Sequence, residues 1–251
     1  MVFSSKRIWL GLLVTGSFLL WFTETSPMGH AFDVAFSNLL FNQSTQTFAL
    51  PHSGWVERIG HDWMQQLLRL ILVFALIQLV YAGYLKISNR FDTNHVDAFR
   101  RWLALFVACV LISLLIQQIK KSTNIACPWN LSQFGGSWLY AGLFDAKPWG
   151  VHKMACWPAG FGASGFTLLS FAFVGGWPPS LWRLQRPQPS YLSRKSFVWY
   201  ALIAGTLFGT VRILQGGHFL SHQLWALWWV VFLHMILYQV KLFKKQWLVN
   251  E

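Results

Sequence analysis

The sequence predicts an all-α, polytopic membrane protein: a bundle of six transmembrane helices built as a single domain over residues 1–251. Three observations predict it. Apolar residues make up 55% of the chain and charged residues only 11%, too little polar surface for a globule that faces water on all sides. Several runs approach the roughly 20 apolar residues that cross a bilayer at about 1.5 Å per residue. The basic residues are also partitioned, with thirteen of the 20 Lys and Arg falling in alternate connections between those runs.

The first span, 8–22, follows Lys6 and Arg7. It is read as a span and not as a signal peptide, because no small-residue cleavage site follows its Phe and Trp cluster. Residues 23–61, with "HAFDVAFSNLLF" and "GWVERIGHDW", alternate aromatic and polar side chains, as a segment lying at the outer interface and shaping an entrance for lipid would. Spans 66–85 and 102–118 follow, joined by the basic stretch 86–101. Residues 119–157 form a second external segment, and span four covers 160–177. The proline-rich, basic stretch 178–196 reads as an extended cytoplasmic connector. Spans 197–214 and 223–240 close the bundle, joined by a short external turn.

With the basic connections facing the cytoplasm, both termini are cytoplasmic. The net charge of +12 is then explained by basic loops beside anionic lipid, and no nucleic-acid partner is expected.

The unusual polar residues all fall on the other face. They lie in "KKSTNIACPWNLSQFGG" after span three, "ACWPAGFGASGF" entering span four, and "VRILQGGHFLSH" joining spans five and six. Polar groups at membrane depth are costly and tend to be functional. Each stretch also has a plain reading. Lys120 and Lys121 suit snorkelling anchors, and "PAGFGASG" suits a helix start followed by a small-residue packing face. His218 and His222, four apart, would share a helix face and suit a metal, yet no third ligand has a clear spacing to them, so no metal is expected.

Taken together, the three stretches resemble the motifs of the type 2 phosphatidic acid phosphatase superfamily, K-x6-R-P, P-S-G-H and S-R-x5-H-x3-D. The first is met by Lys120 and, six residues on, Cys127-Pro128; the second by Pro158-Ala159-Gly160-Phe161; the third by Arg212, His218 and His222. "CPWNL", "CWPAG" and "QGGHFLSHQLW" are similar to a bacterial branch that writes C-P-W-D-L, C-F-P-A-G-H-A-S and Q-G-x-H-F-L-S-H-x-L-W.

The resemblance implies a cofactor-free, metal-independent lipid phosphatase or phosphotransferase of the bacterial inner membrane, with its active site at the periplasmic face. His218 would attack phosphorus to form a phosphohistidine, and His222, where the superfamily has aspartate, would hold its far nitrogen. Arg212 and Lys120 would bind phosphate oxygens, and the amides at Gly160 would supply an anion-binding helix start. Three positions depart from the pattern: Cys127 replaces an arginine, Ala159 removes a hydroxyl, and Phe161 replaces the histidine that protonates the leaving alcohol. Either the leaving group needs no acid, or His152 or His222 substitutes, or the chain is a pseudophosphatase that binds anionic lipid phosphate. The implied partners are the bilayer and a lipid phosphate such as phosphatidic acid, phosphatidylglycerol phosphate, undecaprenyl pyrophosphate or lipid A phosphate.

Of the three cysteines, Cys109 reads as an inert apolar residue inside span three. Cys127 and Cys156 share the external segment, where an oxidising compartment favours a disulfide; the alternative is two buried thiols.

Overall fold

The computed structural model describes residues 5–51, 53–58, 62, 64–148, 150, 154–182, 193–240 and 242. Helix α1, Ser5–Leu19, runs on through a π-helical turn, Leu20–Thr25. Ser26 then starts α2, Pro27–Leu40: its hydroxyl accepts from the Met28 amide at 3.2 Å, and Pro27 sits at the first helical position, where no amide is needed. A two-residue hairpin, β1 (Phe41–Asn42) and β2 (Thr47–Phe48), leads to the short α3, Gly54–Glu57. The long helices α4, Met64–Ile87, and α5, Thr93–Thr123, follow. Two short helices, α6 (Gly160–Phe166) and α7 (Leu169–Phe173), precede α8, Arg194–Leu214, and α9, Leu220–Gln239.

Five of the described helices are long and apolar enough to cross a membrane. Their outer faces carry large exposed apolar side chains, among them Leu70, Val80 and Ile87 on α4 and Ile203 and Leu207 on α8. Such faces are costly in water and natural against hydrocarbon. The fourth expected span, 160–177, has a different form: its helical part, Gly160–Phe173, is shorter than the other five and is divided in two. The Thr167 hydroxyl bonds back to the Ala163 carbonyl at 2.8 Å beside the break. Most of the expected 178–196 connector lies outside the described residues.

Small residues let α6 sink into the bundle. A Cβ on Gly165 would stand 2.5 Å from the Gly205 amide nitrogen, so α6 and α8 meet backbone to backbone. Next to that contact the buried Gln223 side chain of α9 fills the space that Cβ atoms on Gly162 and Gly209 would need, and donates to the Gly205 carbonyl at 2.7 Å. Ile112, Ile116, Phe166, Val230 and Leu233 close an apolar core around this junction. A separate core of Phe41, Leu131, Phe134 and Phe219 ties the β1–β2 hairpin and the segment after α5 to the start of α9.

Candidate active site

The three polar stretches converge at one end of the bundle, held mainly by backbone hydrogen bonds. The Cys156 amide donates to the Ile125 carbonyl at 3.0 Å, the Ala159 amide to the His222 carbonyl at 2.9 Å, and the Trp129 amide to the Gly216 carbonyl at 3.1 Å. A disulfide joins Cys127 to Cys156 across 29 residues. The end of α5, the start of α6 and the α8–α9 turn are thereby fixed to one another.

Lys120, on the last turn of α5, reaches the first residue of α6: a Cβ on Gly160 would lie 3.0 Å from both its Cδ and its Nζ. The N-cap of α6, Ala159, is extended and offers no side-chain cap to the helix start. Lys120 makes no ion pair with a described residue. Arg212, on the last turn of α8, is engaged: its Nη1 donates to both Glu57 oxygens at 3.2 Å and to Gln215 Oε1 at 2.9 Å. The Trp129 ring lies under the guanidinium, 5.4 Å from its centre.

His218 is buried just before α9. Burial, reinforced by the charges of Lys120, His222 and Arg212, pushes its pKa well below the usual imidazole range. The ring is therefore neutral near neutral pH and keeps a lone pair. Its Nδ1 stands 3.3 Å from Cys156 Sγ.

The expected role of His222 as its direct partner is corrected. The two rings are 6.1 Å apart between centroids and inclined at 62°, and His222 Nδ1 is buried with no hydrogen-bond partner. The reason is local geometry: Phe219, the N-cap of α9, is extended at φ −74° and ψ 160°, so His218 lies outside the helix and the four-residue spacing does not stack the rings.

Phe161 is buried on α6, its ring 5.5 Å from that of Phe208 on α8. His152, a candidate replacement acid, lies outside the described residues. Cys127 and Cys156 with His218 form a cluster of three potential metal donors within 4.8 Å of one another. The two sulfurs are joined to each other, however, and a disulfide offers no thiolate to a metal.

Several site residues were not singled out from the sequence. Glu57 and Gln215 flank Arg212; Gln215 is fully buried and donates to Glu57 Oε2 at 2.9 Å and to the Pro51 carbonyl at 2.8 Å. Asp33, also buried, accepts from the Ser221 amide at 3.1 Å and from the Ser221 hydroxyl, fixing the first turn of α9 beside His222. Glu24 is buried and accepts from Thr23 at 2.9 Å and from the Trp157 indole at 3.1 Å. Rarity was the available signal: the chain has only 8 acidic residues, and these three all precede residue 60.

Beside the site a cleft of about 250 Å³ opens between α4, α5 and the α6–α7 pair. Gln65, Arg69 and Gln117 give it a polar part, and Leu72 and Phe171 an apolar one. Ser164, also on its wall, bonds to the Gly160 carbonyl at 3.0 Å, so the cleft adjoins the Lys120 end of the site. Comparison with known protein families, curated proteins and solved structures finds no match to this chain.

Proposed function

We propose that the chain is a bacterial inner-membrane lipid phosphatase or phosphotransferase of the type 2 phosphatidic acid phosphatase kind, with six spans and its site at the periplasmic face. One observation carries the reading. Buried His218 lies where the charges of Lys120 and Arg212 both act on it and keep its ring neutral.

The chemistry follows from those groups. His218 attacks phosphorus in line with the ester oxygen; an N–P bond forms as the P–O bond breaks, and the leaving oxygen departs with the bonding electrons and takes a proton from water. Lys120 and Arg212 balance the charge spread over the equatorial oxygens. Water then attacks the phosphohistidine, returning the imidazole and releasing phosphate; an acceptor alcohol in place of water gives transfer. The cleft beside Lys120 accommodates the lipid chain next to the head group.

Phosphate release from a panel of lipid phosphates, measured on purified full-length protein in the presence of a chelator, tests the proposal. Turnover that disappears in His218→Ala is expected, with a ³²P-labelled, acid-labile intermediate on the wild type. Activity that survives His218→Ala sinks the mechanism.

A second reading is favoured by Phe161, which packs on Phe208 where the resemblance places a proton donor. A pseudophosphatase would bind lipid phosphate with no turnover on any member of the panel.

A further inference from the structure

We propose that Glu57 is a built-in anion occupying the phosphate seat of Arg212, and that a phosphate ligand enters by displacing this carboxylate. The inference rests on the reading of Arg212 as a phosphate clamp. It adds a gate to that site and sets the charge of the ligand that opens it.

The carboxylate sits as a ligand would. Both its oxygens are 3.2 Å from Arg212 Nη1, and Gln215 Nε2 donates to one of them at 2.9 Å. A phosphate oxygen can take the same two donors, because both recognise an anionic oxygen and neither needs a carbon attached to it. The donors are the fixed half of the contact: Gln215 is fully buried and is anchored in addition to the Pro51 carbonyl at 2.8 Å.

Glu57 is the movable half. It ends the four-residue α3, whose neighbour Trp55 is 73% exposed, so little apolar burial resists its release. The chain is pinned just before this segment, where the Leu50 amide donates to the Leu214 carbonyl at 3.0 Å. Between pin and carboxylate, Gly54 has φ +75° and open space around it, a natural hinge.

Charge favours the exchange. With Glu57 seated, one of the two cations is already neutralised; with it displaced, Lys120 and Arg212 together match the two negative charges of a phosphate monoester. A carboxylate and a dianionic phosphate side by side on one guanidinium would repel each other, so binding of the ligand and seating of Glu57 are mutually exclusive.

Inorganic phosphate is the probe, titrated calorimetrically against the full-length protein in detergent. Glu57→Gln is expected to bind it about five- to tenfold more tightly than the wild type, the range set by removing a partly buried ion pair and its repulsion. Arg212→Ala is expected to lose binding. Amide exchange on the wild type supplies a reading that needs no variant: saturating phosphate should raise exchange across Gly54–Glu57. Unchanged or weaker binding by Glu57→Gln, binding by neither protein, binding retained in Arg212→Ala, or unaltered exchange with phosphate bound each overturn the gate. Lipid phosphate turnover is scored separately. Tighter phosphate binding by Glu57→Gln without turnover on any lipid upholds the gate while removing the enzymatic reading.

Discussion

Lys120 and Gly160 share one space: the lysine's Cδ and Nζ both lie 3.0 Å from the point where a side chain at Gly160 would begin. Glycine at the start of α6 thus does more than open a helix, since it leaves room for the ammonium group beside the first amides. Gly160→Ala should push the flexible end of Lys120 aside at little cost to the fold. Turnover is expected to fall about tenfold or more, with stability changed by less than about 1 kcal/mol. Gly162→Ala, two residues on, meets the buried Gln223 side chain at 2.0 Å and should instead destabilise by about 1–3 kcal/mol. Thermal unfolding beside kinetics separates the two effects; equal losses of stability would show that Lys120 does not depend on the missing methyl.

The Cys127–Cys156 disulfide closes a 29-residue separation and lies against His218. By restricting the unfolded chain it contributes about 3–4 kcal/mol. Cys127→Ser with Cys156→Ser should lower the melting temperature on the order of 10 °C and loosen the placement of His218. Mass spectrometry of alkylated, non-reduced protein checks the premise, and both cysteines labelled as free thiols would refute it.

Asp33 gives a signed pH dependence. Burial raises its pKa from 3.8 to about 6, against the opposing bonds from Ser221. The folded state therefore binds this proton more tightly than the unfolded state does. Its contribution is most favourable below pH 3.8 and is lost as the pH rises through 6, a change of about 2–3 kcal/mol. Asp33→Asn keeps an acceptor for the Ser221 amide and cannot titrate. The difference in stability between wild type and variant should slope between pH 4 and 6 and be flat above about 7. A flat difference across the whole range would mean that Asp33 keeps an ordinary carboxylate pKa.

Phe161→His restores an imidazole at the position where the resemblance places the general acid. If the rest of the site is competent, turnover of phosphate monoesters should rise toward about 10²-fold. Lost packing on Phe208 should cost about 1 kcal/mol. Steady-state kinetics on a monoester and a pyrophosphate substrate give the check, since the gain belongs to the substrate with the poorer leaving group. An unchanged or lower rate means that this turn of α6 does not face the leaving oxygen.

The sequence by itself determined the helical character of the chain, the long apolar segments and the grouping of Lys120, Gly160, Arg212 and His218 into three polar stretches. These are local properties: apolar run length and the cost of a polar group at membrane depth can be read without knowing what packs where. Tertiary structure alone decided the partners. Arg212 meets Glu57 across 155 residues, and Ser221 meets Asp33 across 188. His218 finds Cys156 and not His222, because the chain is still extended at Phe219 and the helical period that would have paired the histidines has not begun. The fourth apolar segment is short and broken where close contact of Gly165 with Gly205 places its backbone deep in the bundle. A pattern along the chain fixes which groups must be buried together; which donor ends beside which acceptor depends on the geometry of several helices at once.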